Sequence, residues 1–232
     1  MASQNHNNET EQTAIDNLNT HLTSAGQKVA DNKKYIWWVL GIIVAIAAII
    51  LSYLYFFRTP RVNKATDAYD KVELQEIKGE ITDSIATANY MKVADEYDGT
   101  PAGETAALAA GEGNYKLGNW DKAIKYLEMF DSNEPVIEAT SRMLLADCYV
   151  NKGEKFYGQA LDAYAKAKRL ADDNPQIVPM ILFKEARVYD AQKNYSEALK
   201  CYEEIKNAYP EFVPGSMTID AYIAREKARL GK

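Results

Sequence analysis

Histidine, cysteine and carboxylate side chains carry most metal-binding and nucleophilic chemistry, but in this 232-residue chain they do not occur in a spacing typical of such sites. Both histidines, His6 and His21, lie near the N-terminus and are interpreted as solvated polar residues. The two cysteines, Cys148 and Cys201, lie far apart and predict neither a zinc site nor a disulfide-dense scaffold. The sequence contains no Gly-x-Ser-x-Gly, His-Glu-x-x-His or phosphate-binding glycine motif. We therefore expect a protein that is not an enzyme and that binds no cofactor or metal.

The composition is that of a folded acidic protein. Hydrophobic residues make up 47% of the chain and charged residues 26%, which is close to the globular average. The net charge of −6 argues against a nucleic-acid binder, because such proteins neutralise phosphates with clustered basic residues. The length fits one ordinary domain with appendages.

Residues 35–57, "YIWWVLGIIVAIAAIILSYLYFF", contain no charged side chain and predict a transmembrane helix. A helix of this length reaches about 34 Å, which exceeds the hydrocarbon core of about 30 Å. Aromatic residues at both ends match the interfacial belts of a membrane span. No small-residue cleavage site follows in "RTPRVN", so we expect a permanent anchor through Tyr35–Phe57 and not a signal peptide.

Two features of the anchor's surroundings leave alternatives open. Three lysines precede the span within 20 residues and four basic residues follow it, so the charge bias does not decide the membrane orientation. The leader, residues 1–34, is rich in Asn, Thr and Gln but carries a narrow apolar stripe with helical spacing. This leader is either a partner helix or, as we prefer, a weakly amphipathic tail. The stripe consists of Ile15, Leu18, Leu22, Ala25 and Val29.

Three stretches of the remaining chain align as copies of one helical pattern: "GEGNYKLGNWDKAIKYLEMFDSNEP", "ADCYVNKGEKFYGQALDAYAKAKRLADDNP" and "ARVYDAQKNYSEALKCYEEIKNAYP". Each has a small residue on a first helix, a turn, an alanine on a second helix and a closing proline. The second-helix alanines are 37 and 38 residues apart, near the 34 of a tetratricopeptide repeat, which the pattern resembles. The small residues on the first helix are Gly111, Ala146 and Ala186, and the turn residues are Gly118, Gly153 and Lys193. The second-helix alanines are Ala123, Ala160 and Ala198, and the closing prolines are Pro135, Pro175 and Pro210.

The repeated residue types predict a close crossing of the two helices in each copy. Small residues let the first helix approach the alanine of the second. The residue four positions after each alanine, which is Leu127, Tyr164 or Tyr202, falls on the same face and is expected in the core. Trp120 and Tyr195 are expected to pack at the start of the second helix.

The predicted fold class is all-α, with an N-terminal transmembrane helix followed by a right-handed tetratricopeptide α-solenoid of about three and a half repeats and a capping helix. The half repeat comes from "SIATANYMKVADEYDG", and the cap from "SMTIDAYIAREKARLGK". The predicted divisions are a polar tail at 1–34, the span at 35–57, a helical connector at 58–80 and the repeat domain at 81–232.

A partner-binding surface is predicted on the first helices, because these line the concave face of tetratricopeptide repeats. The clamp of Lys and Asn with which some such domains hold a chaperone's terminal carboxylate is missing. Leu108, Met143 and Phe183 are equally well explained by packing between repeats. The predicted partner-binding residues are Leu108, Glu112, Tyr115, Met143, Asp147, Val150, Phe183, Arg187 and Asp190.

Nearly the whole chain resembles the YfgM-type single-span tetratricopeptide proteins of bacterial inner membranes, in a Bacteroidetes-like version. The resemblance lies in the polar leader, the single span, the Arg58-x-x-Arg61 exit and the repeat sequences. It implies a cytoplasmic N-terminus, a periplasmic repeat domain and protein partners among translocon subunits, periplasmic chaperones or client chains. Two alternatives are a cytoplasm-facing membrane-tethered adaptor and an envelope-assembly factor, although the latter usually carries an N-terminal lipid-modified cysteine that is missing here.

Overall fold

The computed structural model of the chain describes residues 33–215 and 217–231. The apolar stripe and the two histidines of the leader therefore lie outside the described residues. Within these limits every regular element is a helix, and no strand is formed. The chain separates into two compact units, with the boundary between Pro60 and Arg61.

The first unit contains helix α1 (Lys33–Tyr53) and a π-helical turn, Leu54–Arg58. By length and composition, the helical stretch Trp37–Ile77 is the one among the described residues that is suited to crossing a membrane, and nothing in its apolar window is buried. In the π-helical turn, Leu54 O accepts hydrogen bonds from the backbone N–H of Thr59 and, at 2.9 Å, from its Oγ1. Pro60 follows directly and has no N–H to continue the helical ladder.

The helices that follow are neighbours in chain order, and from Asp83 onward each packs against the next. The contact between the first two is made by the rings of Tyr69 and Tyr90, whose centroids lie 5.5 Å apart. Helices that are neighbours in sequence and in space form an α-solenoid, as the sequence predicts. The helices are α2 (Thr59–Ile77), α3 (Asp83–Glu96), α4 (Pro101–Lys116), α5 (Trp120–Met129), α6 (Pro135–Lys152), α7 (Tyr157–Ala171), α8 (Val178–Ala191), α9 (Tyr195–Ala208) and α10 (Ile219–Arg229).

Local sequence explains where these helices begin and end. The Thr100 side chain accepts a hydrogen bond from the N–H of Gly103 at 3.1 Å and caps α4, and Pro101 occupies the first helical position. All three predicted turn residues adopt positive φ, at 74° for Gly118, 108° for Gly153 and 60° for Lys193. Glycine adopts this conformation without strain, whereas lysine does so at a cost.

The repeat core agrees with the predicted pattern in most details. The three second-helix alanines and the three residues one turn beyond them are all buried. In the first copy, the atoms nearest to a Cβ placed on Gly111 belong to Leu127, at 2.7 Å. The closest approach in the first copy is therefore one helical turn further along α5 than predicted, since residues four apart share a helix face.

The final helix is held by charge as well as by apolar packing. Glu226 is fully buried, and its carboxylate accepts hydrogen bonds from Arg225 at 2.7 Å and from Arg229 at 3.3 Å. Asp190 of α8 accepts hydrogen bonds from the same two arginines, at 2.9 Å from Arg225. These contacts fix α10 against the last repeat.

Candidate partner-binding groove

The first helices of the three repeats, α4, α6 and α8, line a groove that we call the first-helix groove. Its middle part, the central cleft, has a volume of about 330 Å³. Side chains from all three first helices line this cleft, together with residues at the start and in the middle of α7. They include Tyr115, Asp147, Val150, Asn151, Tyr157, Tyr164, Lys184 and Arg187.

Asp147 is the centre of a hydrogen-bond network in the central cleft. Its carboxylate accepts hydrogen bonds from the Tyr164 hydroxyl and, at 2.7 Å, from Lys184 Nζ. Burial raises the pKa of Tyr164, and the Asp147 charge raises it further. The carboxylate of Asp147 is therefore used within the chain, where it links α6 to α7 and α8.

The next part of the groove, the end cleft, lies between α8 and the capping helix α10 and has a volume of about 570 Å³. Two aromatic side chains line it, Phe183 and Tyr222, and their ring centroids lie 5.1 Å apart in an edge-to-face arrangement. Asp190 lines this cleft with its carboxylate held by Arg225 and Arg229. Asp190 thus serves to attach α10.

Arg187 lines both clefts, which meet at this residue. Its side chain is exposed, and it forms no ion pair or side-chain hydrogen bond with any residue that the structure describes. The neighbouring cations, Lys184 and Arg225, are both paired with aspartates. Among the described cations that line these two clefts, Arg187 is the one without a counterion.

A third cleft, which we call the acidic cleft, lies between α2, α3 and α4 and has a volume of about 420 Å³. The Tyr90 hydroxyl donates a hydrogen bond to Glu76 at 2.7 Å, and the Tyr69 hydroxyl donates one to Glu73 at 3.3 Å. Burial and, to a smaller extent, the nearby glutamates raise the pKa of Tyr69 to about 12. Besides the tyrosines, the cleft is lined by Glu73, Glu76, Asp83, Glu112 and Lys116.

The structure gathers the predicted partner-binding residues into three places. Tyr115, Asp147, Val150 and Arg187 meet in the central cleft, while Phe183 and Asp190 join Arg187 in the end cleft. Glu112 lies apart from them in the acidic cleft. Leu108, Met143 and Phe183 are half-buried and pack against the core, the alternative that the sequence left open. Whether these residues bind a partner stays a prediction.

The repeat alignment did not identify two groups of groove residues. Lys184 lies three positions before Arg187 and hence on the same side of α8, a spacing that could have identified it. Tyr222 and Arg225 belong to α10, which matches no repeat, so the alignment could not assign them to a face.

The described residues contain no cluster of metal-ligating side chains, and the two cysteines are buried. Burial raises the pKa of Cys148 and of Cys201 to about 12, so both remain protonated thiols near neutral pH. The described residues of the central and end clefts therefore offer aromatic side chains, hydrogen-bonding groups and the unpaired cation Arg187.

Comparison with known proteins agrees with this architecture. The model of the tetratricopeptide repeat-like domain matches residues 29–204. Among solved structures, the crystal structure of the MamA protein superposes with a TM-score of 0.54 at 20% identity, covering 74% of this chain and 83% of that one. At this identity the superposition shows a shared fold. None of the curated proteins compared with the chain matches it in sequence.

Proposed function

Because the chain belongs to the tetratricopeptide repeat-like family, whose members are typically non-enzymatic scaffolds that bind other proteins, we propose that its first-helix groove holds a segment of a partner polypeptide. The observation that carries this proposal is the pair of joined clefts, with aromatic walls on both sides of an exposed arginine. Concave surfaces of this kind, in which several polar groups lie beside aromatic side chains, are suited to binding extended chains.

The same proposal includes a membrane anchor. The large apolar side chains of α1 that the structure describes are exposed, which in water would leave an extensive unfavourable surface. A bilayer around Tyr35–Phe57 removes that cost. In this arrangement the repeats are a scaffold tethered to a bacterial inner membrane and facing the periplasm. There they would assist the Sec translocon and the periplasmic chaperone network.

We expect a cysteine introduced at Ser196 to react with a membrane-impermeant maleimide in intact spheroplasts, and one at Ser3 to react only after detergent is added. Ser196 is exposed, so labelling there reports on the compartment of the repeat domain. The unmodified chain is the background control, because Cys148 and Cys201 are buried and have raised pKa values. The reverse pattern of labelling would establish the cytoplasm-facing adaptor.

We also expect photoreactive phenylalanine analogues at Tyr115 and Phe183 to crosslink a partner protein in living cells. Matched analogues at Lys125 and Lys200, which are exposed on the second helices α5 and α9, should give no such product. Capture from Lys125 and Lys200 alone would show that the groove is not the binding surface. Translocon subunits or chaperones among the products support the periplasmic scaffold, and outer-membrane precursors support the assembly factor.

A further inference from the structure

We propose that the segment bound in the first-helix groove carries an internal Asp or Glu residue whose carboxylate binds Arg187. This inference rests on the proposed function and adds the chemistry of the partner. It follows from three observations, which concern the pairing of the groove's charges, the position of Arg187 between two clefts and the distribution of acidic residues along the groove.

Among the described residues of the central and end clefts, the pairing of charges leaves Arg187 as the group that can bind an anion. Lys184 Nζ lies 2.7 Å from Asp147 Oδ2, and Arg225 lies 2.9 Å from Asp190. Arg187 has no such counterion among the described residues, and its guanidinium is exposed between the two clefts. A guanidinium offers planar, paired donors that match a carboxylate, and this pairing is stronger than a hydrogen bond between neutral groups.

The position of Arg187 between the two clefts favours a carboxylate from an internal side chain of the partner over the carboxylate of its C-terminus. Open volume continues on both sides of this residue, about 330 Å³ towards α6 and about 570 Å³ towards α10. A polypeptide that ended at Arg187 would leave one cleft empty. Tyr115 and Tyr157 on one side, and Phe183 and Tyr222 on the other, can receive apolar side chains that flank the acidic residue.

The acidic residues give the groove a direction. Four carboxylates and one cation, Lys116, line the acidic cleft at the N-terminal end of the repeats, so its net charge is negative. Carboxylates of a partner are repelled there and attracted at Arg187, and screening at physiological salt, with a length of about 8 Å, keeps the two effects local. We therefore expect the acidic residue of the partner to contact α8, through Arg187.

The test is selection of peptides from a phage-displayed random 12-residue library on the full chain in lipid nanodiscs, with empty nanodiscs used to remove background binders. We expect the selected peptides to share an Asp or Glu flanked by apolar residues. Synthetic copies should bind the R187E variant about tenfold more weakly. Replacing the shared acid by lysine should weaken binding to the unmodified protein and restore it to R187E. The control variant Lys200→Glu, on an exposed site outside the groove, should change affinity less than twofold.

Each other outcome overturns a defined part of the inference. Peptides that lose affinity for Phe183→Ala but bind R187E unchanged would refute the carboxylate contact and leave the groove function standing. Binding abolished by C-terminal amidation, and not by changing the internal acid, would identify a terminal carboxylate and refute the internal one. Selection that yields no peptide sensitive to Tyr115→Ala or Phe183→Ala would refute the groove function itself.

Discussion

Replacing Arg142 by alanine is expected to lower the free energy of unfolding by about 3–5 kcal/mol, the usual cost of removing one member of a buried ion pair. Arg142 is 8% exposed and Glu138 is 4% exposed. Arg142 Nε donates to Glu138 Oε1 at 2.7 Å, and the two Nη atoms donate to Leu127 O at 3.2 Å and to Phe130 O at 3.0 Å. The substitution leaves a buried carboxylate and two carbonyl groups at the end of α5 without these partners.

Glu138→Ala should be similarly harmful, because the Glu138 carboxylate also accepts a hydrogen bond from the Ser132 N–H at 3.2 Å in the loop that joins α5 to α6. The double variant Glu138→Leu/Arg142→Met removes both charges, so it should be less destabilising than the sum of the single changes. Thermal unfolding of the full chain measures these effects, at about 2–4 °C per kcal/mol for a chain of this size.

The matched control is Lys125→Ala, which breaks the exposed Lys125–Asp95 ion pair and should cost less than about 1 kcal/mol. Equal shifts in melting temperature for Arg142→Ala and Lys125→Ala would contradict the assignment of a structural role to the buried pair. A lower melting temperature confined to Arg142→Ala and Glu138→Ala would support it.

Sequence reasoning predicted the all-helical fold, the three turns and most of the core because these depend on local signals. A turn between two helical stretches, a proline that closes each copy and alanines about one repeat apart are visible without any long-range information. The burial of Arg142 was not visible. Glu138 lies four residues before Arg142, a spacing typical of an exposed ion pair on a helix surface. This ion pair is buried because the end of α5 packs against it, which the sequence does not show.

The candidate site was predicted less completely, because its charges are paired across repeats. Asp147 pairs with Lys184, 37 residues later, and Asp190 pairs with Arg225, 35 residues later. Both separations are close to one repeat length, so each aspartate on a first helix pairs with a cation about one repeat further along the chain. An alignment that reads each repeat alone treats both aspartates as free. The sequence also did not show that Glu112 lines a separate cleft, because that cleft is formed together with the connector helix α2.

The second large effect is expected from Ala160→Trp and Ala198→Trp, each of which should lower the free energy of unfolding by about 1–3 kcal/mol or more. Both alanines are fully buried where two helices pack closely, so a tryptophan side chain forces the helices apart. Ala208→Trp, on an exposed position of α9, is the control and should stay within about 0.5 kcal/mol of the unmodified protein. Unchanged melting curves for both buried variants would show that the assigned helix faces are wrong.

These two variants should also separate the two clefts. Ala160 lies one turn before Tyr164, whose hydroxyl donates to Asp147 in the central cleft. Ala198 lies one turn before Tyr202, whose ring stacks on Tyr222 at 5.1 Å beside the end cleft. We therefore expect Ala160→Trp to reduce crosslinking mainly from Tyr115, and Ala198→Trp to reduce it mainly from Phe183. If both variants instead lose crosslinking equally at Tyr115 and Phe183, the solenoid unfolds as one cooperative unit. The shape of each cleft would then not depend on its own repeat alone.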